Sequence, residues 1–253
     1  MDAQTQNILH ESQTSPLRVY AQLVVGYPSL LALIRHECLT GLLERWSGAL
    51  GYWLRRRAYR HLFRKLGPSA IIGRDVTIRG AKRITIGRGV AIDDNVVLDA
   101  RGENGTIEIG DGVLISRNTI IRARNGAIRI GTGSDIGANC LLATDQHLEI
   151  GSNVLIAAFT YVCAGGNHAF DRTDIPIIKQ GFVPKGGVLI EDDVWIGAHG
   201  MVMDGVTIQQ GSVLGAHAIV NRNIPAFSVA WGQPAKCQRS RQRQLTPKTG
   251  DEP

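Results

Sequence analysis

The sequence predicts a mainly β chain: a three-sided parallel β-solenoid of six-residue repeats, preceded by an α-helical segment. Three observations predict it. Aliphatic residues fall six apart in Ile72, Ile78, Ile84, then Ile86, Ile92, Leu98, and again in Ile109, Ile115, Ile121; Ile130, Ile136, Leu142; and Ile150, Ile156, Val162. After a long interruption the spacing resumes in Ile190, Ile196, Val202 and Ile208, Leu214, Val220. Glycine follows the first member in Gly87, Gly110, Gly131 and Gly151. Upstream of Gly67-Pro68, by contrast, apolar residues recur at three- and four-residue steps.

A helix does not place its apolar residues strictly six apart, and simple strand alternation is not punctuated by glycine. Three six-residue units close one 18-residue turn, so like residues stack about 4.8 Å apart into internal ladders. Each buried Ile or Val contributes roughly 1.5–3 kcal/mol. Gly and Asn at the corners supply positive φ. Successive sets are separated by 23, 21 and 20 residues before the long gap. The extra chain falls after the third member each time, at 101–105, 124–127 and 144–147, and the large insertion 163–187 leaves from the same edge. Long loops on a compact repeat mark function.

The expected organisation follows: a disordered polar N-terminus over 1–16, a basic amphipathic helical segment over 17–67, the solenoid over 68–224, and a cap with a basic tail over 225–253. In the helical segment breaks are expected at Pro28 and Gly41. Leu39, Leu42, Leu43, Trp46, Leu50, Trp53 and Leu54 read as one apolar stripe. The segment fits a helical pair packed on the solenoid or on another subunit, or an interfacial element with its arginines on anionic headgroups. Its apolar run is too short and interrupted for a confident transmembrane span.

The 253 residues are 43% hydrophobic and 20% charged, which excludes a disordered chain. The 30 glycines lack a Gly-X-Y period, which excludes collagen. The net charge of +6 is concentrated in Arg55, Arg56, Arg57, Arg60, Arg64 and Lys65, and in Arg239, Arg241 and Arg243. No nucleic-acid fingerprint accompanies these clusters, so nucleic acid is disfavoured as a partner. Cys38, Cys140, Cys163 and Cys237 show no paired spacing and the N-terminus reads as no secretory signal, so a cytoplasmic protein with free thiols is expected. Cys163 reads as a half-buried small residue rather than a nucleophile.

The insertion opens with Gly165-Gly166-Asn167-His168-Ala169-Phe170-Asp171. A histidine in a glycine-rich loop, where backbone amides can approach a developing oxyanion, suits a general base for acyl transfer near neutral pH. A second column, three after each second member, holds Asn95, Asn118, Asn139, Phe159, His199 and His217. Two stacked histidines admit a zinc-dependent, carbonic-anhydrase-like alternative, but a catalytic zinc needs three protein ligands and no third is evident. No metal is expected. A non-catalytic scaffold is the other alternative.

The stretch from Ile72 to Lys236 resembles the hexapeptide-repeat acyltransferases, a left-handed parallel β-helix family, and within it the maltose, galactoside and nodulation-factor O-acetyltransferases and those of polysaccharide biosynthesis. The resemblance rests on Asn167-His168 with Asp171 and Pro176, on Asp193 to Ala198, and on Gly232-Gln233-Pro234-Ala235-Lys236. It implies the left hand of the coil, a homotrimer with sites between subunits, and transfer of acetyl from acetyl-CoA to a sugar hydroxyl, or alternatively to an amine, with His168 as base. Asn139, Asp145, Asn167 and Asp171 would then meet the acceptor. Trp195, Ala198, Ala216, Asn221, Arg222 and Lys236 would meet the coenzyme. A membrane-proximal glycan, with peripheral contact through residues 17–66 at the inner face of the cytoplasmic membrane, suits the basic leader. The chain departs from the family where Asn221-Arg222 replace a frequent Thr-Lys, and where Asp204 replaces a proline before Gly205.

Overall fold

Short strands pile into three sheets that form the sides of a prism. The computed structural model describes residues 15–102 and 104–242; most of the polar N-terminus and Arg243 of the basic tail lie outside the described residues. The first sheet stacks β1 (Lys65–Leu66), β4 (Ile84–Ile86), β7 (Thr106–Ile109), β10 (Ala127–Ile130), β13 (His147–Ile150), β16 (Val188–Ile190) and β19 (Thr207–Ile208). The second stacks β2 (Ile71–Ile72), β5 (Ala91–Ile92), β8 (Leu114–Ile115), β11 (Asp135–Ile136), β14 (Leu155–Ile156), β17 (Trp195–Ile196) and β20 (Val213–Leu214). It then takes up a terminal hairpin of β22 (Ser228–Gly232) and β23 (Ala235–Ser240). The third stacks β3 (Thr77–Arg79), β6 (Val97–Asp99), β9 (Ile120–Ala123), β12 (Leu141–Thr144), β15 (Tyr161–Ala164), β18 (Met201–Val202) and β21 (Ile219–Val220). Among the described residues all pairings between these strands are parallel except β22 with β23.

The expected ladders are present. Down the first sheet, Leu66, Ile86, Ile109, Ile130, Ile150, Ile190 and Ile208 stand in register. Most of the inward residues of all three sheets join one buried core. The phase of the first coil differs from expectation. Its members are Leu66, Ile72 and Ile78, while Ile84 opens the next coil beside Ile107. The solenoid therefore starts at Lys65 rather than residue 68, because the backbone of 65–66 already pairs with 85–86.

The repeated glycines serve a purpose different from positive φ. A Cβ on Gly87 would lie 2.6 Å from the Gly110 carbonyl carbon, and one on Gly110 would lie 2.8 Å from the Thr132 nitrogen. These positions are glycine because the next coil passes too close for a side chain. The left-handed turns fall elsewhere, at other glycines such as Gly89, Gly112 and Gly133 and at Asn95, Asn118, Asn139, Phe159, His199 and His217, with φ between 57° and 71°.

Among the described residues three helices precede the solenoid where a pair was expected: α1 (Pro16–Val25), α2 (Leu30–Leu43) and α3 (Gly48–Tyr59). Pro16 opens α1 inside the stretch expected to be disordered, in a position where its missing N–H costs nothing. Gly26, at φ 90°, ends it, and Ser29 caps α2 through a 3.4 Å bond from the Ala32 amide. Gly41 does not break the chain but sits within α2; the break falls at 44–47. That break divides the expected stripe. Leu39 and Leu43 pack on the core, while Leu42, Trp46, Leu50 and Trp53 face outward.

Arg55 binds the helices to the prism. It is 1% exposed, and its Nε donates to the Ile72 carbonyl at 2.8 Å. Its Nη1 donates to the carbonyls of Leu43 at 3.0 Å and Trp46 at 2.7 Å. The guanidinium thus satisfies carbonyls that the end of α2 leaves free, and burial lowers its pKa from the ordinary arginine value. Replacing Arg55 with alanine is expected to speed proteolytic cleavage around 44–47 by about tenfold or more, from the loss of charge-assisted bonds. The solenoid's melting temperature should hold; limited proteolysis with mass mapping, alongside a thermal scan, reads both.

Candidate active site

Every insertion leaves the prism at the edge where the third sheet returns to the first, as the spacing implied. Thr144, at the end of β12, is buried; its hydroxyl donates to the Ala164 carbonyl at 2.9 Å and accepts from the Gln146 amide at 3.0 Å. This fixes the turn that carries Asp145. One coil further, Gly165 and Gly166 take φ of 135° and 76°, and a Cβ on Gly165 would lie 3.1 Å from the Asp145 nitrogen. Both features require glycine. They bring the start of the long loop down onto Asp145.

The loop is braced by its own backbone. The Val183 amide donates to Asn167 at 2.7 Å and the Ala169 amide to Gly181 at 3.0 Å, so His168 and Phe182 face each other as a bridge. Their rings lie 4.5 Å apart at 41°. At the tip, Arg172 pairs with Asp174, and the Gln180 side chain donates to the carbonyls of Arg172 and Ile175.

Asp204 ties the loop to the coil beyond it. Its carboxylate is part of a residue only 6% exposed and accepts four hydrogen bonds. The donors are the side chain of Asn167 at 2.6 Å, that of Gln146 at 3.1 Å, and the amides of Lys185 at 3.0 Å and Gly187 at 2.9 Å. Residues near both ends of the loop and the turn beneath it thus share one carboxylate.

Between loop and edge lies a cavity of about 740 Å³. Arg124, Asp145, Gln146, Asn167 and His168 line it on one part, and Ile178, Phe182 and Val183 on another. Of the acceptor-binding candidates, Asp145 and Asn167 reach it beside His168, while Asn139 and Asp171 do not line it. Asn139 sits at another corner, where its side-chain oxygen accepts from Asn118 at 3.1 Å, and Asp171 is exposed on the loop. Cys163 is half-buried and its thiol donates to the Gly165 carbonyl at 3.0 Å. The neighbouring Tyr161 hydroxyl is pushed up to about 12, first by burial and then by its contact with Cys163.

None of the coenzyme candidates lines this cavity. Trp195 stands half-exposed on β17; Ala198 and Ala216 stack one coil apart at the corner between the second and third sheets. Asn221 and Arg222 follow β21 at the insertion edge, and Lys236 pairs with Trp231 in the terminal hairpin. Between the two corners runs the outer face of the third sheet, with Tyr161, Met201 and Ile219 in register. The rings of Phe159, His199 and His217 stack in parallel at 4.9 and 4.7 Å. Among the described residues no group of three His, Cys, Asp or Glu is placed to hold a metal ion.

No family model matches the chain. It is 37% identical over 190 residues to a probable acetyltransferase of Mycobacterium tuberculosis, covering 75% of this chain and 58% of that protein. It is 30% identical over 136 residues to the galactoside O-acetyltransferase of Lactococcus lactis, covering 52% and 62%. Its fold matches AntD, an N-acyltransferase from Bacillus cereus in complex with dTDP and 3-hydroxybutyryl-CoA, with a TM-score of 0.51, 22% identity and coverage of 76% and 90%. Over these stretches the chain is similar to acetyltransferases, and its stacked parallel sheets share the fold of an N-acyltransferase. It spans about three fifths of the length of these two sequence relatives.

Two parts of this site were missed from the sequence. The apolar wall comes from Phe182, Ile178 and Val183, 10 or more residues downstream of the histidine and without a repeat to place them. Asp204 was visible only as a departure from the family's proline. Asp204→Ala is expected to leave four donors without their acceptor and to raise hydrogen exchange across 166–187 by about a hundredfold, with Asp204→Asn less affected. Exchange mass spectrometry of the two variants checks it.

Proposed function

We propose that this protein is an acetyltransferase that moves an acetyl group from acetyl-CoA to a sugar hydroxyl in the biosynthesis of a cell-surface polysaccharide or glycolipid. The observation that carries the reading is the cavity at the insertion edge, with His168 held against Phe182 beside Asn167 and Asp145. Similarity to a galactoside O-acetyltransferase supports the substrate class, and the fold shared with a protein bound to an acyl-CoA supports the donor.

In this reading the acceptor hydroxyl enters the cavity and His168 takes its proton as the oxygen attacks the thioester carbonyl. Asp145 and Asn167 hold neighbouring hydroxyls of the sugar. The tetrahedral intermediate collapses, the C–S bond breaks, and the proton passes from the imidazolium to the departing thiolate. No acyl-enzyme is needed, so Cys163 stays a spectator. The pantetheine arm runs along the outer face of the third sheet toward Ala198 and Ala216, whose small side chains leave the backbone accessible. Trp195 borders that path, and Asn221, Arg222 and Lys236 meet the nucleotide end. Assembly as a homotrimer with shared sites belongs to the same reading; Phe170 and Ile177 project from the loop without cover in one chain, as residues reaching a neighbour would.

His168→Ala is expected to lower kcat by about 10²–10⁴-fold while leaving the KM for acetyl-CoA unchanged. The measurement is thiol release with the purified protein and a panel of nucleotide sugars and lipid-linked glycans, with product mass identifying an ester or an amide. Full transfer activity in the variant would remove His168 as the base.

A further inference from the structure

The helices carry a surface that acyl transfer does not explain. Helix α2 is apolar on two opposite sides. Leu33 and His36 are buried on its inner side, with Leu39 and Leu43 against the solenoid core. Leu31, Ile34 and Leu42 form an outer stripe, with Leu31 80% and Leu42 69% exposed. A helix apolar all round is ordinarily covered on every side. Beyond the break at 44–47 the outer apolar surface continues through Trp46 to Leu50 and Trp53 on α3, where Trp53 is 60% exposed.

The same stripe then changes chemistry. Leu50, Trp53, Arg57 and Arg60 follow at steps of three, four and three along α3 and its last turn, and all are exposed. Trp53, Arg56, Arg57 and Arg60 line a cleft of about 460 Å³ that Leu66, Gly67 and Pro68 close from the first coil. Residues 17–66 hold nine Lys and Arg against two Glu. Both acids are engaged: Glu37 accepts from the Tyr20 hydroxyl at 3.1 Å, and Glu44 lies 3.9 Å from Arg45.

We propose that the outer face of α2 and α3 docks on an anionic lipid bilayer, with Leu31, Ile34, Leu42, Trp46, Leu50 and Trp53 in the acyl boundary and the arginine cleft taking lipid phosphates. An apolar stripe that passes through tryptophan into arginine matches the layering of the membrane interface. A second copy of this chain matches it less well. Three guanidiniums on the surface would need three free carboxylates. The solenoid's Asp93, Asp94, Asp99, Glu108 and Asp111 are already paired with arginines of their own chain, and in the acidic cleft beside Glu149 the carboxylates of Glu191 and Asp192 already accept the amides of Gln210 and Ser152. The helices lie on the surface rather than cross it. Among the described residues no single helix is long and apolar enough to span, and α1 with α2 passes that test only as a pair bent by 60°. Crossing would strip Leu39 and Leu43 from the prism. The proposal does not rest on the chemistry assigned to His168.

The test is co-sedimentation of the whole protein with vesicles of phosphatidylcholine, alone or mixed with phosphatidylglycerol, at low and high salt. Binding to the anionic vesicles is expected to exceed binding to the neutral ones at least about tenfold and to weaken with salt. Arg56→Gln/Arg57→Gln/Arg60→Gln should weaken it about a hundredfold, and Leu50→Ser/Trp53→Ser at least about tenfold. All these side chains are exposed, so unchanged thermal melting should accompany both variants. Equal binding to neutral and anionic vesicles, no binding at low salt, or indifference to both variants overturns the proposal. Self-association that Leu50→Ser/Trp53→Ser abolishes, without vesicle binding, overturns it in favour of a second copy.

Discussion

The spacing between stacked coils governs this molecule. Backbone hydrogen bonds hold neighbouring coils at the strand-to-strand distance of about 4.8 Å, and every inward side chain must fit a layer of that height. Ile, Leu and Val fill it from one coil to the next, as Leu66 to Ile208 do on the first sheet. Glycine appears where backbone meets backbone, as at Gly87 and Gly110. A buried polar side chain is admitted where it bonds the adjacent coil, as Ser134 does to the Gly151 carbonyl at 2.8 Å. The same spacing sets the ring stack of Phe159, His199 and His217, whose separations follow the coil repeat.

A structure governed in this way is legible where its constraint repeats and opaque where it does not. The six-residue spacing revealed the sheets, the interior and the edge carrying the insertions, because each coil restates the pattern. The first coil was misphased because its Leu66 belongs to a segment whose sequence otherwise reads as helical. The helical break at 44–47 was placed at Gly41 instead, since the element that fixes the true break, the Arg55 guanidinium on the Leu43 and Trp46 carbonyls, lies 9 or more residues away in sequence. The helix boundary is thus set by a tertiary contact, and its local signal is confined to Ser47 in the N-cap position and Gly48 at positive φ. His168, Asn167 and Asp145 could be named from the loop motif and the insertion edge. The partnership of His168 with Phe182 could not, because it depends on a backbone pairing inside the loop.

The division of labour between prism and edge explains the character of the cavity. Coils supply rigid turns, and the loop supplies what the repeat cannot: a projecting histidine and an apolar wall. Rigidity comes from anchoring rather than from packing, since much of the loop surface is exposed. Asp204 is central to that anchoring because one carboxylate restrains both ends of the loop and Gln146. Its carboxylate stands in the same return edge as Asn221 and Arg222, one coil nearer the histidine. The loop anchor therefore shares an edge with the two residues proposed to meet the coenzyme.

The terminal hairpin has a consequence for the assembly of many molecules. A stack of parallel coils ends in an edge to which another stack could in principle add, extending the prism into a fibre. On the second sheet the last strand, β23, runs antiparallel to β22, with an irregular register between Val229 and Ala230 and with Lys236 and Arg239 exposed along it. A coil arriving from a second molecule would meet a reversed, bulged and cationic strand instead of a template like its own. Reversal of a single strand thus acts as a stopper against polymer growth along that side of the prism.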